Sequence, residues 1–312
     1  MQNQAPAPFR ETLGSRLGFI LLTAGCAIGL GNIWRFPFIC GQFGGAIFVL
    51  IYLIFLIVLG FPVMVMELSI GRASRRNLVG ACKVLAADKR LKWEYFAAVF
   101  FSGCVFLMIF YTTVTGWMIA YSVKFAAGSL AGLDADGVGK HFESFLQSPA
   151  SMVGFMLITV FFSAAVCAIG LQRGVERITK VLMAGLFLLL VGLCLRSLFL
   201  PGAEAGLRFY LYPNPASIRR IGLLKVVVEA MKQAFFTLSL GVGSIEIFGS
   251  YIDRGQTLAK ETLMVIGLDT IVALLAGMLQ KTDSERKPHR NPLTFKVKMS
   301  DSTKFPQGIL SP

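Results

Sequence analysis

The chain has 312 residues, 55% of them AVILMFWYC and only 15% charged, with a mean hydropathy of +0.69. A soluble domain of this size cannot hide that much apolar side chain, which excludes an ordinary cytosolic globule. The formal charge of +13 does not point to nucleic acid, because the basic residues fall in short segments between apolar blocks, where the positive-inside rule puts them without any ligand.

In chain order, the apolar blocks are each about the thickness of a bilayer core. Residues 17–34 are uncharged, Arg35 follows, and 36–66 are again uncharged, with Gly44-Gly45 the one turn in a run too long for a single helix. This predicts spans over about 17–41 and 45–71, then over about 95–123, 149–170, 181–200, 226–250 and 262–280. The fold class is therefore all-α and polytopic, with seven candidate membrane helices. Thr23-Ala24-Gly25-Cys26 resembles a lipoprotein cleavage site, but the apolar sequence continues past Cys26 through a second span, which argues against a signal peptide. The cysteines Cys26, Cys40, Cys82, Cys104, Cys167 and Cys194 include no CxxC pair and argue for neither a metal site nor a disulfide frame.

The loops set the orientation. Residues 72–92 carry Arg72, Arg75, Arg76, Lys83, Lys89, Arg90 and Lys92 against Asp88, whereas 128–149 carry Lys140 against Asp134, Asp136 and Glu143. The first loop is expected to be cytoplasmic and the second external, which puts the N-terminus with Arg10 and Arg16 inside, in a multi-pass protein of the cell membrane. The external 201–225 segment, with Arg208, Arg219, Arg220 and Lys225, fits that rule poorly. Seven spans would also leave the basic tail 281–312 outside, against the rule, and its polar, aperiodic composition reads as a disordered, truncated or frame-shifted end.

Two spans carry breaks. Gly25-Cys26-Ala27-Ile28-Gly29-Leu30-Gly31-Asn32 puts three glycines and an amide where an uninterrupted helix prefers leucine, and Thr237-Leu238-Ser239-Leu240-Gly241-Val242-Gly243-Ser244 repeats Gly-x-Gly in the sixth span. Glycines also let membrane helices pack closely. Irregular backbone at membrane depth survives only where it packs on protein or lines a site, and the recurrence of hydroxyl or amide neighbours at both breaks favours a site. Neither Gly-x-Gly is a nucleotide fingerprint, since no strand precedes it and the third glycine is missing.

The run GCAIGLGNIWRFP over Gly25 to Pro37, with Gly44-Gly45, Glu67, Gly71-Arg72 and FFTLSLGVGS, resembles the neurotransmitter:sodium symporter family over about residues 10–280. The resemblance implies twelve helices with inverted five-helix repeats, helices one and six interrupted, so that 1–280 would be a partial transporter domain and 281–312 a non-family tail. It implies sodium-coupled symport of a neutral amino acid, with sodium as the ion, no organic cofactor, a lipid bilayer around the chain and no nucleic-acid partner. It also implies that the chain as written would not transport alone, the alternative being a noncatalytic membrane fragment. No HExxH, GxSxG or Walker motif supports an enzyme.

Carried over residue by residue, the resemblance gives a first sodium site at Ala27, Asn32, Thr237 and Asp269, and an incomplete second one at the carbonyls of Gly25 and Ile28. Oxygen-only ligands suit a hard cation. Taken alone, Asn32 would serve as a helix-to-helix hydrogen bond and Thr237 as an i−4 backbone bond. Asp269 departs from the amide more usual in the family. Its fixed charge would do the work of the chloride that some relatives bind near residues similar to Tyr52 and Gln233, unless burial keeps it protonated; chloride is therefore expected to be dispensable. The substrate site falls on Cys26, Ala27, Gly29, Gly31, Tyr111, Phe236, Thr237, Ser239 and Val242. Gly29 stands where amine carriers have an aspartate, so the substrate must bring its own carboxylate. Arg35 matches an outer gate whose acid lies on helix ten, and Arg10 an inner gate whose acid lies on helix eight, Arg10 being also a topology signal. Glu67 matches an acid that bonds the unwound backbone, the alternative being an interfacial carboxylate.

Overall fold

The computed structural model describes residues 13, 15–86, 92–199, 203–253 and 255–279; Arg10, Gln280 and the tail 281–312 lie outside them. The fold is all-helical. Ser15 caps the first helix, α1 (Arg16–Ala27), by accepting from Gly18 N at 3.0 Å, an orphan donor that the first turn cannot satisfy itself. The helix stops where Ile28 turns extended (φ −74°, ψ 98°). A π-helical turn, Gly31–Arg35, then leads into α2 (Phe36–Gln42), and the two halves meet at 53°. Gly44 and Gly45 follow with φ of 96° and 61°, values that a side chain resists, and a Cβ at Gly45 would strike the carbonyl of Phe209.

The second span is α3 (Ala46–Phe55), a π-helical turn over Leu56–Gly60, and α4 (Phe61–Ser74). The third is α6 (Trp93–Ala126) and the fourth α8 (Pro149–Ala168). The fifth runs from a π-helical turn at Leu171–Glu176 into α9 (Arg177–Leu198), so it begins ten residues before the expected 181, at basic residues that belong to its first turns. The sixth is split into α12 (Leu223–Thr237) and α13 (Ser244–Gly249), and the seventh is α14 (Leu258–Met278). Segments expected as plain loops hold short helices: α5 (Leu78–Leu85), α7 (Ala135–Leu146), α10 (Ala203–Leu211) and α11 (Pro215–Ile221). Asn77 and Asp134 cap α5 and α7 by accepting from Gly80 N and Gly137 N.

Among the described residues, five helices are long and apolar enough to cross a bilayer, and the bent pair α1 and α2 makes a sixth. The two pieces α12 and α13 are each too short alone and span only together.

The core lies between the broken helices and their neighbours. Phe36, Phe48, Tyr52, Leu56, Met64 and Leu68 on α2 to α4 meet Val226, Ala230 and Ala234 on α12, Leu238 just past its end, and Val265, Val272 and Ala273 on α14. Helix α14 touches α1, α2, α4 and α9 and so forms the axis of the bundle. Helices α6 and α8 pack on each other but leave long apolar faces exposed, for example Phe106 and Phe161. On one face of the bundle Arg72 donates to Gln256 O and Arg75 to Ser250 O, joining the 72–76 segment to the α13–α14 connection. We call this the basic face.

Gly71 allows α4 and α13 to touch, since a Cβ there would run into the Glu246 carbonyl and Ser250 N, whereas a Cβ at Gly103 meets open space. Gly71→Ala is therefore expected to destabilise detergent-solubilised protein by about 1–3 kcal/mol through overpacking. Gly103→Ala should be neutral or stabilising by up to ~1 kcal/mol. Thermal unfolding followed by tryptophan fluorescence checks this, and equal melting of the two variants would contradict the close approach.

Candidate functional site

The two breaks face each other at the centre of the bundle. Across the second, Ser239, Gly241 and Gly243 take φ of 53°, 81° and 77°. Alternating left-handed residues turn backbone N–H groups to one side, a concavity that suits an anion. Glu67 Oε1 sits there and accepts from Gly241 N at 2.7 Å. Ser239 is not a glycine, so its conformation is held by surrounding contacts: its hydroxyl donates to Cys26 O in the first break at 3.2 Å, and its carbonyl accepts from Ser244. The Cys104 thiol on α6 donates to Val242 O.

The polar centre is Asp269 on α14. Asn32 Nδ2 donates to Asp269 Oδ1 at 2.8 Å and to Asp269 O at 3.0 Å, and the Thr237 hydroxyl donates to Asp269 Oδ2 at 3.1 Å. All three residues are fully buried. Thr237 thus bonds a carboxylate across the bundle. Asn32 Oδ1 is buried with no hydrogen-bond partner. Together, a carboxylate met by neutral donors and an orphaned amide oxygen make a pocket of hard oxygen atoms that lacks positive charge, and these residues fit a small cation. Ala27, the last residue of α1, is buried, as is Ile28 beside it; Gly25 packs on α9, where a Cβ would lie 3.0 Å from Thr179 Cγ2.

Gly31 packs under the Phe236 ring, and a Cβ on Gly29 would lie 3.9 Å from the Tyr111 ring. Cys26, Gly29, Gly31, Tyr111, Phe236, Ser239 and Val242 therefore gather around the breaks. Above them Arg35 stacks on Phe236 at 5.0 Å, donates to Gln233 Oε1 at 2.6 Å and approaches Glu229 Oε2 at 3.6 Å. Arg35 was expected to lack an acid without helix ten; it has one in Glu229 on α12, which Lys232 also holds at 2.8 Å. Gln233 returns a bond from Nε2 to Gly31 O at 2.9 Å. Tyr52 is fully buried between Phe36 and Phe48, its hydroxyl without a partner. The link from Glu229 through Gln233 to Thr237 has an i, i+4 spacing in the sequence that places all three on one helix stripe; that spacing, read with Arg35, is the signal that finds Glu229. Nothing in the sequence pairs Cys104 with Val242.

Comparison with known proteins agrees with this geometry. The "Sodium:neurotransmitter symporter family" profile matches residues 10–134 and 140–280. An uncharacterised sodium-dependent transporter of Bacillus subtilis, YhdH, is 37% identical over 278 residues, covering 89% of this chain and 59% of that protein. The bovine sodium-dependent neutral amino acid transporter B(0)AT2 is 26% identical over 305 residues, covering 86% of this chain and 40% of its own length. The crystal structure of MhsT in complex with L-phenylalanine superposes with a TM-score of 0.78 at 36% identity, covering 88% of this chain and 61% of that one. The chain thus spans less than two thirds of the length of these relatives.

Gln233 is the only described side chain that bonds both the first break and Arg35. Gln233→Leu is expected to cost about 1–3 kcal/mol by leaving Gly31 O and the guanidinium unmatched. Lys232→Leu, at a more exposed pair, should cost no more than ~1 kcal/mol. Denaturation midpoints of the two purified variants decide between these values.

Proposed function

The chain belongs to the sodium:neurotransmitter symporter family, and from that premise we propose that its paired helix breaks bind a sodium ion together with a neutral amino acid and couple their uptake across the cell membrane. The family is one of transporters, so the polar groups at the breaks serve binding and gating and not bond chemistry. The observation that carries the reading is the buried Asn32–Asp269–Thr237 cluster with its unpartnered amide oxygen.

Sodium enters as co-substrate. Asp269 supplies the charge, Asn32 and Thr237 neutral oxygens, and the end of α1 at Ala27 a carbonyl. Gly25 and Ile28 would contribute carbonyls to a second ion. With a carboxylate fixed at residue 269, chloride is not needed to balance the cation. The amino acid lies over Gly29 and Gly31, its carboxylate toward the first break and Tyr111, its side chain toward Cys26, Phe236, Ser239 and Val242. The absence of a carboxylate at Gly29 favours a zwitterion over an amine. The phenylalanine held by MhsT makes an apolar amino acid the first to test. Arg35 would close the outer side, and the basic face is the cytoplasmic one, with the N-terminus inside.

Radiolabelled L-phenylalanine, leucine and alanine should bind the purified protein in sodium chloride and lose at least about 10-fold in affinity when choline replaces sodium, the factor that a charge-assisted contact of about 1.4 kcal/mol provides. Equal binding in choline would overturn the reading. Asp269→Asn is expected to make binding chloride-sensitive, because the missing negative charge must then come from the medium. Binding by this variant that is strong in sodium gluconate and unchanged by chloride would reject the proposed role of Asp269.

A further inference from the structure

The second break closes on a thiol. Its last three residues are Gly241, Val242 and Gly243, and the glycines on either side of Val242 take left-handed φ of 81° and 77°. A valine set between two such glycines can turn at little steric cost, so whatever fixes it must come from other helices. Gly241 N is held by Glu67 of α4 at 2.7 Å, and Val242 O by the Cys104 thiol of α6 at 2.6 Å. Upstream, the Ser239 hydroxyl fastens the same segment to Cys26 O of the first break at 3.2 Å. Glu67 sets where the segment begins, and Cys104 sets how Val242 lies. The carbonyl carbon and Cβ hang on one Cα, so holding the oxygen also directs the valine side chain.

Helix α6 carries Cys104 and Tyr111 on one face. Seven residues separate them in an unbroken helix, two turns that return to the same side about 10 Å along the axis. In the transport reading the substrate carboxylate lies at the Tyr111 end, so its side chain extends toward the Val242 end. The two α6 residues then bracket the ligand, one beside its head and the other beneath its tail.

The chemistry of the thiol suits that place. It donates to a carbonyl, more weakly than a hydroxyl or an amide, and otherwise behaves as a small apolar group. Val242 O thus has its partner at membrane depth without a strongly hydrated group entering an apolar compartment. A floor held in one position leaves a void beneath a small side chain, and the void costs binding in proportion to its size. A floor free to move follows whichever ligand arrives and discriminates little. Val242 is itself short, so the depth that Cys104 fixes is large.

We propose that Cys104 is a specificity-determining positioning residue: by holding Val242 O it keeps the side-chain end of the cleft at a fixed depth, so that the protein selects large apolar amino acids, aromatic ones above all, over small ones. The proposal rests on the reading of the breaks as an amino acid site and adds to it the class of side chain.

Two measurements on the detergent-purified full chain test it. In the first, dissociation constants for L-phenylalanine and L-alanine are compared in sodium chloride. The parent is expected to favour phenylalanine by about 30-fold or more, within the range that a few buried methylenes supply. Cys104→Ala should bring that ratio down to about threefold, whereas Cys104→Ser, which restores a donor, should keep it within about threefold of the parent value. In the second, amide hydrogen exchange of the 239–244 segment without ligand should quicken by about 10-fold in Cys104→Ala and stay at the parent rate in Cys104→Ser. A ratio or an exchange rate that Cys104→Ala leaves unchanged overturns the proposal, and so does a ratio that falls as far in Cys104→Ser as in Cys104→Ala. If Cys104→Ala does not accumulate, Cys104→Val, of similar volume and without a donor, takes its place with the same outcomes. A parent that binds the two amino acids equally and loses both in choline overturns the size selection and leaves sodium coupling standing. One that discriminates between them, but equally well in choline, retains the role of Cys104 and discards sodium coupling, and one that binds neither amino acid overturns both.

Discussion

Backbone that leaves a helix at membrane depth must find hydrogen-bond partners inside the protein, because lipid offers none. In this chain each break is met by polar groups from elsewhere in the bundle. The first break gives the Cys26 carbonyl to Ser239 and the Gly31 carbonyl to Gln233. The second gives the Gly241 amide to Glu67. Both converge on Asp269, which Asn32 approaches from one side and Thr237 from the other. Every helix of the central bundle is placed by this exchange: α12 must bring Gln233 and Thr237 to one side, α4 must bring Glu67 within reach of the second break, and α14 must run through the middle.

That geometry explains where close packing is demanded. Gly31 meets the Phe236 ring and Gly71 the backbone of α13, while Gly45 abuts the Phe209 carbonyl at the far end. Gly31 and Gly71 serve close approach, Gly241 and Gly243 serve conformation, with φ well into the left-handed region, and Gly45 serves both. The two uses of glycine are different physical requirements, and the two breaks differ in which they draw on.

The breaks and the apolar spans were legible in the sequence because glycine pairs beside hydroxyls and amides stand out against leucine, and because an apolar block of about 20 residues matches the thickness of a bilayer core. The short helices α5, α7, α10 and α11 were not, since their mixed composition carries neither an apolar block nor enough length to show a period. The early start of the fifth span was hidden by Arg173, Arg177 and Lys180, which read as loop but occupy the first turns. Partners were harder than positions. The resemblance placed the acid of Arg35 on a distant helix, whereas Glu229 lies on α12 in step with Gln233 and Thr237. A pairing across 194 residues of sequence shows only as that i, i+4 stripe, which by itself names no partner.

The polar groups of the molecule divide by how firmly they can hold. Around Asp269 the donors are neutral and fully buried, so the carboxylate gains little from them compared with what a cation would give it. A cation entering there would be shared by the Gly31–Arg35 turn, α12 and α14, the three segments that already meet at the carboxylate. Elsewhere Arg16 of α1 pairs with Glu261 of α14. The carboxylate at the centre and the Arg16–Glu261 pair at the basic face thus both join α14 to the broken first span, the first through neutral donors and the second through an ion pair.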